Sequence, residues 1–246
     1  MKNIFFLVLS IIFILSVFSC ENQIIQYNPK NQNNFYYPLS VGSVWTYRLD
    51  SIIYDNSGAV VDTFQGIVKE TIIDSFENST GNIVYTIERA NKEGDSWKVT
   101  DIWSTFKTEN QVFRTEDNLK FIKMITPVEE KLGWDGNAFI DTENTIVKIA
   151  GESIKMFDQW YYRYTNVGVE ETIGTNTYND VAIVQQVDKE DSYSRRYSIE
   201  KYAKNTGLVY KKMIILNTNN TSESIPWEQK AEEGFILEQK LISYTK

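Results

Sequence analysis

Val44-Trp45-Thr46-Tyr47-Arg48-Leu49-Asp50-Ser51-Ile52-Ile53-Tyr54 opens with a strict alternation: Val44, Thr46, Arg48 and Asp50 against Trp45, Tyr47 and Leu49. A period of two with one apolar face is the pattern of a half-buried β-strand. Asp55-Asn56-Ser57-Gly58 follows with turn chemistry, and a second run, Val60 to Asp74, comes directly after it. The pair predicts a hairpin.

The same grammar continues along the chain. Further strands are expected at Ile83–Arg89, Ser96–Lys107, Gln111–Thr115, Leu119–Ile125, Gln159–Val169, Tyr178–Val187, Ser192–Lys204, Leu208–Leu216 and Phe235–Tyr244, separated by Gly-, Asn- and Asp-rich turns. Connections this short favour an antiparallel meander, because parallel pairing needs crossovers of about a dozen residues. The expected fold is mainly β: a curved sheet, open barrel or two-lobed sheet, with one-turn helices at most near Pro127–Lys131 and Trp227–Glu233. A break around 127–144 divides the strands into two groups and leaves one lobe or two open. The 15 Tyr, 6 Trp and 13 Phe, beside only 4 Pro and 12 Gly, suit pleated, half-buried strands.

Upstream the pattern changes. Lys2 is followed by an apolar run from Ile4 to Val17, broken only by Ser10 and Ser16, and then by Phe18-Ser19-Cys20. A basic start, a short apolar stretch and a small residue before a cut describe a secretory signal. The run is also shorter than the roughly 20 apolar residues of a spanning helix. Cys20 is the only cysteine in the chain. An exported lone thiol has no internal disulfide partner, and acylation resolves that. The expected organisation is a signal peptide over 1–19, lipidation (palmitate-type acylation) at Cys20, a flexible Asn- and Gln-rich tether over 20–34, and a β-rich domain over 35–246. The expected address is the bacterial cell envelope, lipid-anchored at the outer membrane.

Removing residues 1–19 takes one lysine from the 25 basic side chains and none of the 33 acidic ones, so the formal charge moves from −8 to −9. That balance argues against nucleic acid and against a polybasic grip on lipid headgroups. The chain contains no histidine. Ser-His-Asp and Cys-His machinery are therefore excluded, and no phosphate-cradling or dinucleotide fingerprint appears. No cofactor is expected. Carboxylate chemistry of the glycosidase kind survives as a minor alternative.

Three segments carry a resemblance. Tyr37-Pro38-Leu39-Ser40-Val41-Gly42-Ser43-Val44-Trp45-Thr46-Tyr47, Trp134-Asp135-Gly136-Asn137-Ala138-Phe139 and Tyr202-Ala203-Lys204-Asn205-Thr206-Gly207-Leu208-Val209-Tyr210 resemble segments of uncharacterised envelope lipoproteins common in the Bacteroidetes. The resemblance implies an envelope location and a β-rich fold, and brings no activity. Each segment also has a structural reading, such as a positive-φ hairpin position for Gly207.

Candidate sites are few. Trp97, Trp103, Trp134, Trp160 and Trp227 are aromatic anchors for a sugar or a protein partner if exposed, and core residues if not. Trp134, between Gly133 and Gly136 in the expected inter-group loop, is the preferred contact; the alternative is a loop tryptophan folded back onto the core. Asp135, Asn137, Asp141 and Glu143 form the densest oxygen-ligand cluster, a weak calcium candidate whose spacing does not match an EF-hand loop. Asp50-Ser51-Ile52 matches a short bacterial O-glycosylation pattern. The functional expectation is a non-enzymatic module binding a ligand, glycan or envelope protein partner, with a structural or assembly lipoprotein as the alternative.

Overall fold

The computed structural model describes residues 35–55, 61–149 and 152–246. The signal segment, Cys20, the tether over 20–34 and most of the Asp55–Gly58 turn lie outside the described residues.

Strands dominate as expected. They are β1 (Val44–Tyr54), β2 (Val61–Glu77), β3 (Ile83–Glu93), β4 (Ser96–Lys107), β5 (Gln111–Glu116), β6 (Leu119–Ile125), β7 (Gly133–Trp134), β8 (Val147–Ile149), β9 (Glu152–Ile154), β10 (Tyr162–Ile173), β11 (Asn176–Glu190), β12 (Ser194–Ala203), β13 (Gly207–Asn217) and β14 (Glu233–Thr245), with a four-residue helix α1 (Trp227–Lys230). Twelve strands make one antiparallel sheet in the order β6-β5-β4-β3-β2-β1-β14-β13-β12-β11-β10-β7. β8 and β9 form a separate hairpin.

The strand groups on either side of 127–144 thus meet in a single sheet. β1 pairs along its whole length with β14, from Val44–Thr245 to Tyr54–Gly234. The sheet curls into a nearly closed barrel. Its two ends meet where Ile122 N–H of β6 donates to Gly136 O just beyond β7, at 2.8 Å. On the same seam the Tyr164 hydroxyl of β10 donates to Ile125 O at 2.7 Å and lies 3.0 Å from Ile125 N. Closure removes the exposed edge that an open sheet would present.

Pro127–Lys131 forms no helix, contrary to the expectation of one turn there. Its end runs beside β10: Lys131 N–H donates to Tyr164 O at 2.8 Å, and Tyr164 N–H to Leu132 O at 3.0 Å. Backbone groups that a helix would pair internally are used to close the barrel instead. The turn expected near Trp227 is present as α1.

The family-like segments have structural work. Trp45 Nε1–H donates to Thr206 O at 2.6 Å and the Tyr47 hydroxyl to Leu208 O at 3.2 Å, which joins the first and third segments. Gly207 sits at φ +93°, and a Cβ there would come within 3.4 Å of the Trp45 indole. Tyr36 and Tyr37 are buried over the same end of the barrel, where the Tyr36 hydroxyl donates to Asp180 at 2.5 Å.

Candidate functional site

The barrel interior holds a layer of charge. Glu70 (β2), Arg114 (β5), Lys123 (β6) and Glu200 (β12) are buried, and Arg89 (β3), Glu116 (β5) and Lys211 (β13) are half-buried beside them. Their strands place them together: Glu70 and Arg89 are direct cross-strand partners, as are Glu200 and Lys211. Residues directly opposite in an antiparallel ladder share a face.

The pairing has two centres. Glu70 accepts from Arg89 Nη1 at 2.5 Å and from Arg114 Nη2 at 2.9 Å, and Arg114 Nε lies 2.7 Å from Glu116. Glu200 accepts from Lys123 Nζ at 2.9 Å and from the Tyr202 hydroxyl at 2.5 Å. Lys123 is also 3.8 Å from Glu116. Lys211 stands 3.7 Å from Glu200 and 3.9 Å from Glu116, near enough to attract but too far to hydrogen-bond.

Protonation follows from this geometry. Burial opposes the charge on Glu70, Glu116 and Glu200, yet the surrounding arginines and lysines outweigh it and hold all three carboxyls below the usual carboxylate range. Burial likewise opposes Lys123, but Glu116 and Glu200 win and raise it. For Lys211 burial prevails despite the same two carboxylates, and its pKa is lowered. Two lysines facing the same acids thus diverge because only Lys123 is within hydrogen-bonding distance.

Above this layer opens a cavity of about 630 Å³, within the range of about 300–1,000 Å³ typical of small-molecule sites. Glu116, Lys123 and Lys211 line one part of it, and Phe121, Met213, Phe235 and Leu237 supply apolar wall. Met156, Phe157 and Trp160, from the segment after β9, line it as well, with Val147 of the β8–β9 hairpin. Phe157 packs edge-on to Trp160 at 5.3 Å, and Phe121 lies 5.6 Å from Phe157. Among the described residues the Trp160 indole N–H and the Gln186 side-chain N–H₂ are buried without a hydrogen-bond partner. Both residues line the cavity.

Of the residues singled out from sequence, Trp160 and Ser51 line the cavity and the others fall elsewhere. Trp134 is buried, its indole N–H donating to Ile122 O at 2.8 Å, and its ring packs 4.8 Å from Tyr164. The exposed-contact reading of Trp134 therefore gives way to the core alternative, because the seam of the barrel needs both its volume and its donor. Asn137 is buried and accepts from the Tyr162 hydroxyl at 3.0 Å. Asp135 caps the turn by accepting from Asn137 N–H at 2.9 Å, and Asp141 accepts from Asn144 Nδ2 at 2.9 Å. Glu143 is exposed. Among the described residues no three His, Cys, Asp or Glu side chains gather as a metal site. Ser51 lines the cavity.

Sequence reasoning missed the charge layer, although it left a mark. Lys123 shares strand parity with Leu119, Phe121 and Ile125, and Glu70 shares it with Val68 and Ile72. A charge at an apolar parity position is the readable sign of a buried polar network.

No family profile matches the chain, and no curated protein matches it. Among solved structures the chain is similar to a candidate lipoprotein from Parabacteroides distasonis, at 13% identity over 86% of this chain and 98% of that one, with a TM-score of 0.41. It is also similar to a candidate exported protein with a YmcC-like fold from Bacteroides fragilis, at 13% identity over 86% and 99% with a TM-score of 0.35. A LolA superfamily protein from Nitrosomonas europaea matches at 10% identity over 88% and 90%, with a TM-score of 0.20.

Proposed function

We propose that this chain is a lipid-anchored lipoprotein of the bacterial envelope whose barrel holds a small ligand with an apolar body, without transforming it chemically. The cavity carries this reading: about 630 Å³, with aromatic and aliphatic side chains as twelve of its twenty lining residues and Glu116, Lys123 and Lys211 among the rest. Apolar walls with a small number of placed polar groups are the signature of a ligand site. The anchor rests on the signal-like segment and Cys20.

The interior carboxyls favour binding over hydrolysis. A glycosidase acid needs a carboxyl whose pKa is raised so that it carries a proton to donate. Glu70, Glu116 and Glu200 are all shifted the other way.

An uncharged environment-sensitive fluorophore, N-phenylnaphthylamine, tests the reading on the purified chain. Saturable enhancement is expected, and Leu237→Trp, which places a large ring in the cavity, abolishes it while the thermal transition is retained. Absence of saturable binding, or binding unchanged in Leu237→Trp, contradicts it.

A further inference from the structure

Three observations bear on what the cavity holds, and all concern missing acceptors. The first is charge. The ion-paired network contains four cations, Arg89, Arg114, Lys123 and Lys211, and three carboxylates, Glu70, Glu116 and Glu200, a surplus of one positive charge within the network, while the half-buried Asp101 stands opposite Arg89 on the ladder without an ion pair among the described residues. At the cavity's rim Asp117 and Lys148 are both exposed and offset one another. A surplus charge taken out of water is costly unless a counter-ion joins it.

The second observation locates that surplus. Glu70 takes both arginines and Glu200 takes Lys123, all at 2.5–2.9 Å, whereas Lys211 is held only at 3.7 and 3.9 Å. Among the described residues Lys211 makes no hydrogen bond, although an ammonium carries three donors. Its side chain keeps 18% of its accessible surface, and it lines the cavity. Burial without a close partner also lowers its pKa, so an anion beside it has the most to stabilise there.

The third observation concerns neutral groups. Among the described residues Trp160 Nε1 and Gln186 Nε2 are donors with no acceptor, both atoms covered, in residues 5% and 2% exposed that line the same cavity. Buried donors left unpaired each cost about 1–3 kcal/mol, so native interiors rarely keep several around one space. An indole can only donate. The complement of Lys211 is an acceptor with one negative charge, attached to a body that suits Phe157, Met213 and Leu237.

Resting on the ligand reading above, we propose that the cavity takes a monoanionic amphiphile: a single aliphatic chain ending in a carboxylate, with its head at Lys211 and its chain along the apolar wall. The carboxylate supplies at hydrogen-bonding distance the counter-charge that Glu116 and Glu200 supply only from 3.9 and 3.7 Å.

Displacement of bound N-phenylnaphthylamine by palmitate, by the matching uncharged alcohol and by the matching primary amine tests the head group directly. Palmitate is expected to bind about tenfold more tightly than the alcohol, the scale of one charge-assisted hydrogen bond, and the amine more weakly than either. Lys211→Met, which keeps the aliphatic stem, should bring palmitate down to the level of the alcohol. Lys211→Arg should retain the preference, and unchanged alcohol binding in both variants shows that the cavity is intact. Equal affinity for acid and alcohol, or a Lys211→Met variant that weakens both alike, overturns the anionic head while leaving an apolar ligand site standing. Failure of all three amphiphiles to displace a saturably bound probe overturns the amphiphile proposal alone, whereas absence of saturable probe binding overturns the ligand reading with it.

Discussion

The indole N–H of Trp134 donates to the backbone carbonyl of Ile122 at 2.8 Å, across the seam where the first and last strands of the twelve-strand order meet. One side chain thereby fills the seam and satisfies a carbonyl that the sheet ladder does not. Trp134→Phe keeps most of the ring and removes the donor, so its expected cost is about 1–3 kcal/mol, the scale of an unpaired buried acceptor. Trp134→Ala should cost about 3–5 kcal/mol. Urea unfolding of both variants measures this, and a cost near zero for both would show that the seam does not depend on Trp134.

That relationship also shows what sequence can and cannot reveal. Val44–Tyr54, Ser96–Lys107 and Leu119–Ile125 are observed with the bounds that alternation predicts, because one apolar face and flanking turn residues specify a strand locally. Closure is not local. Gly133–Trp134 is two residues long and carries no period, and its partners lie in β10 and near β6, so nothing around Trp134 in sequence announces its burial. The charge layer was half legible, since Lys123 and Glu70 interrupt apolar parity. Their convergence with Glu200 and Lys211 required the curl of the sheet.

Lys123 and Glu200 are expected to act as a unit. Lys123→Met leaves Glu200 buried beside the more distant Lys211, at a cost of about 3–5 kcal/mol. Adding Glu200→Gln should recover part of that loss, since the amide needs no counter-ion. A double-mutant cycle from unfolding free energies reads the coupling, and strict additivity would contradict it.

Acid should weaken the fold through the same layer. Glu70, Glu116 and Glu200 have folded-state pKa values below the ordinary 4.5, so each contributes stability that is present above 4.5 and lost as the pH falls through its depressed value. Unfolding free energy is therefore expected to decline steadily from about pH 4.5 downward. Glu116→Gln should flatten that decline. An identical slope in wild type and Glu116→Gln would mean that the acid response arises elsewhere.

The anchor makes a separate prediction. Cys20→Ser should shift the chain from the membrane fraction to the soluble fraction and remove the mass of the acyl chains from the mature protein. Unchanged membrane retention, together with an unacylated wild type, would contradict lipidation.

The claim at the centre of the account is that an apolar-bodied ligand sits inside the barrel against Trp160. A brominated fatty acid quenches only tryptophans within contact of its chain, which makes Trp160 a reporter at the cavity wall. Titration should quench part of the intrinsic fluorescence of the wild type in a saturable manner, and Trp160→Phe should remove most of that quenched component while the remaining tryptophans emit as before. Quenching of equal size in Trp160→Phe, or no saturable quenching in the wild type, would place the ligand outside the barrel and contradict the account.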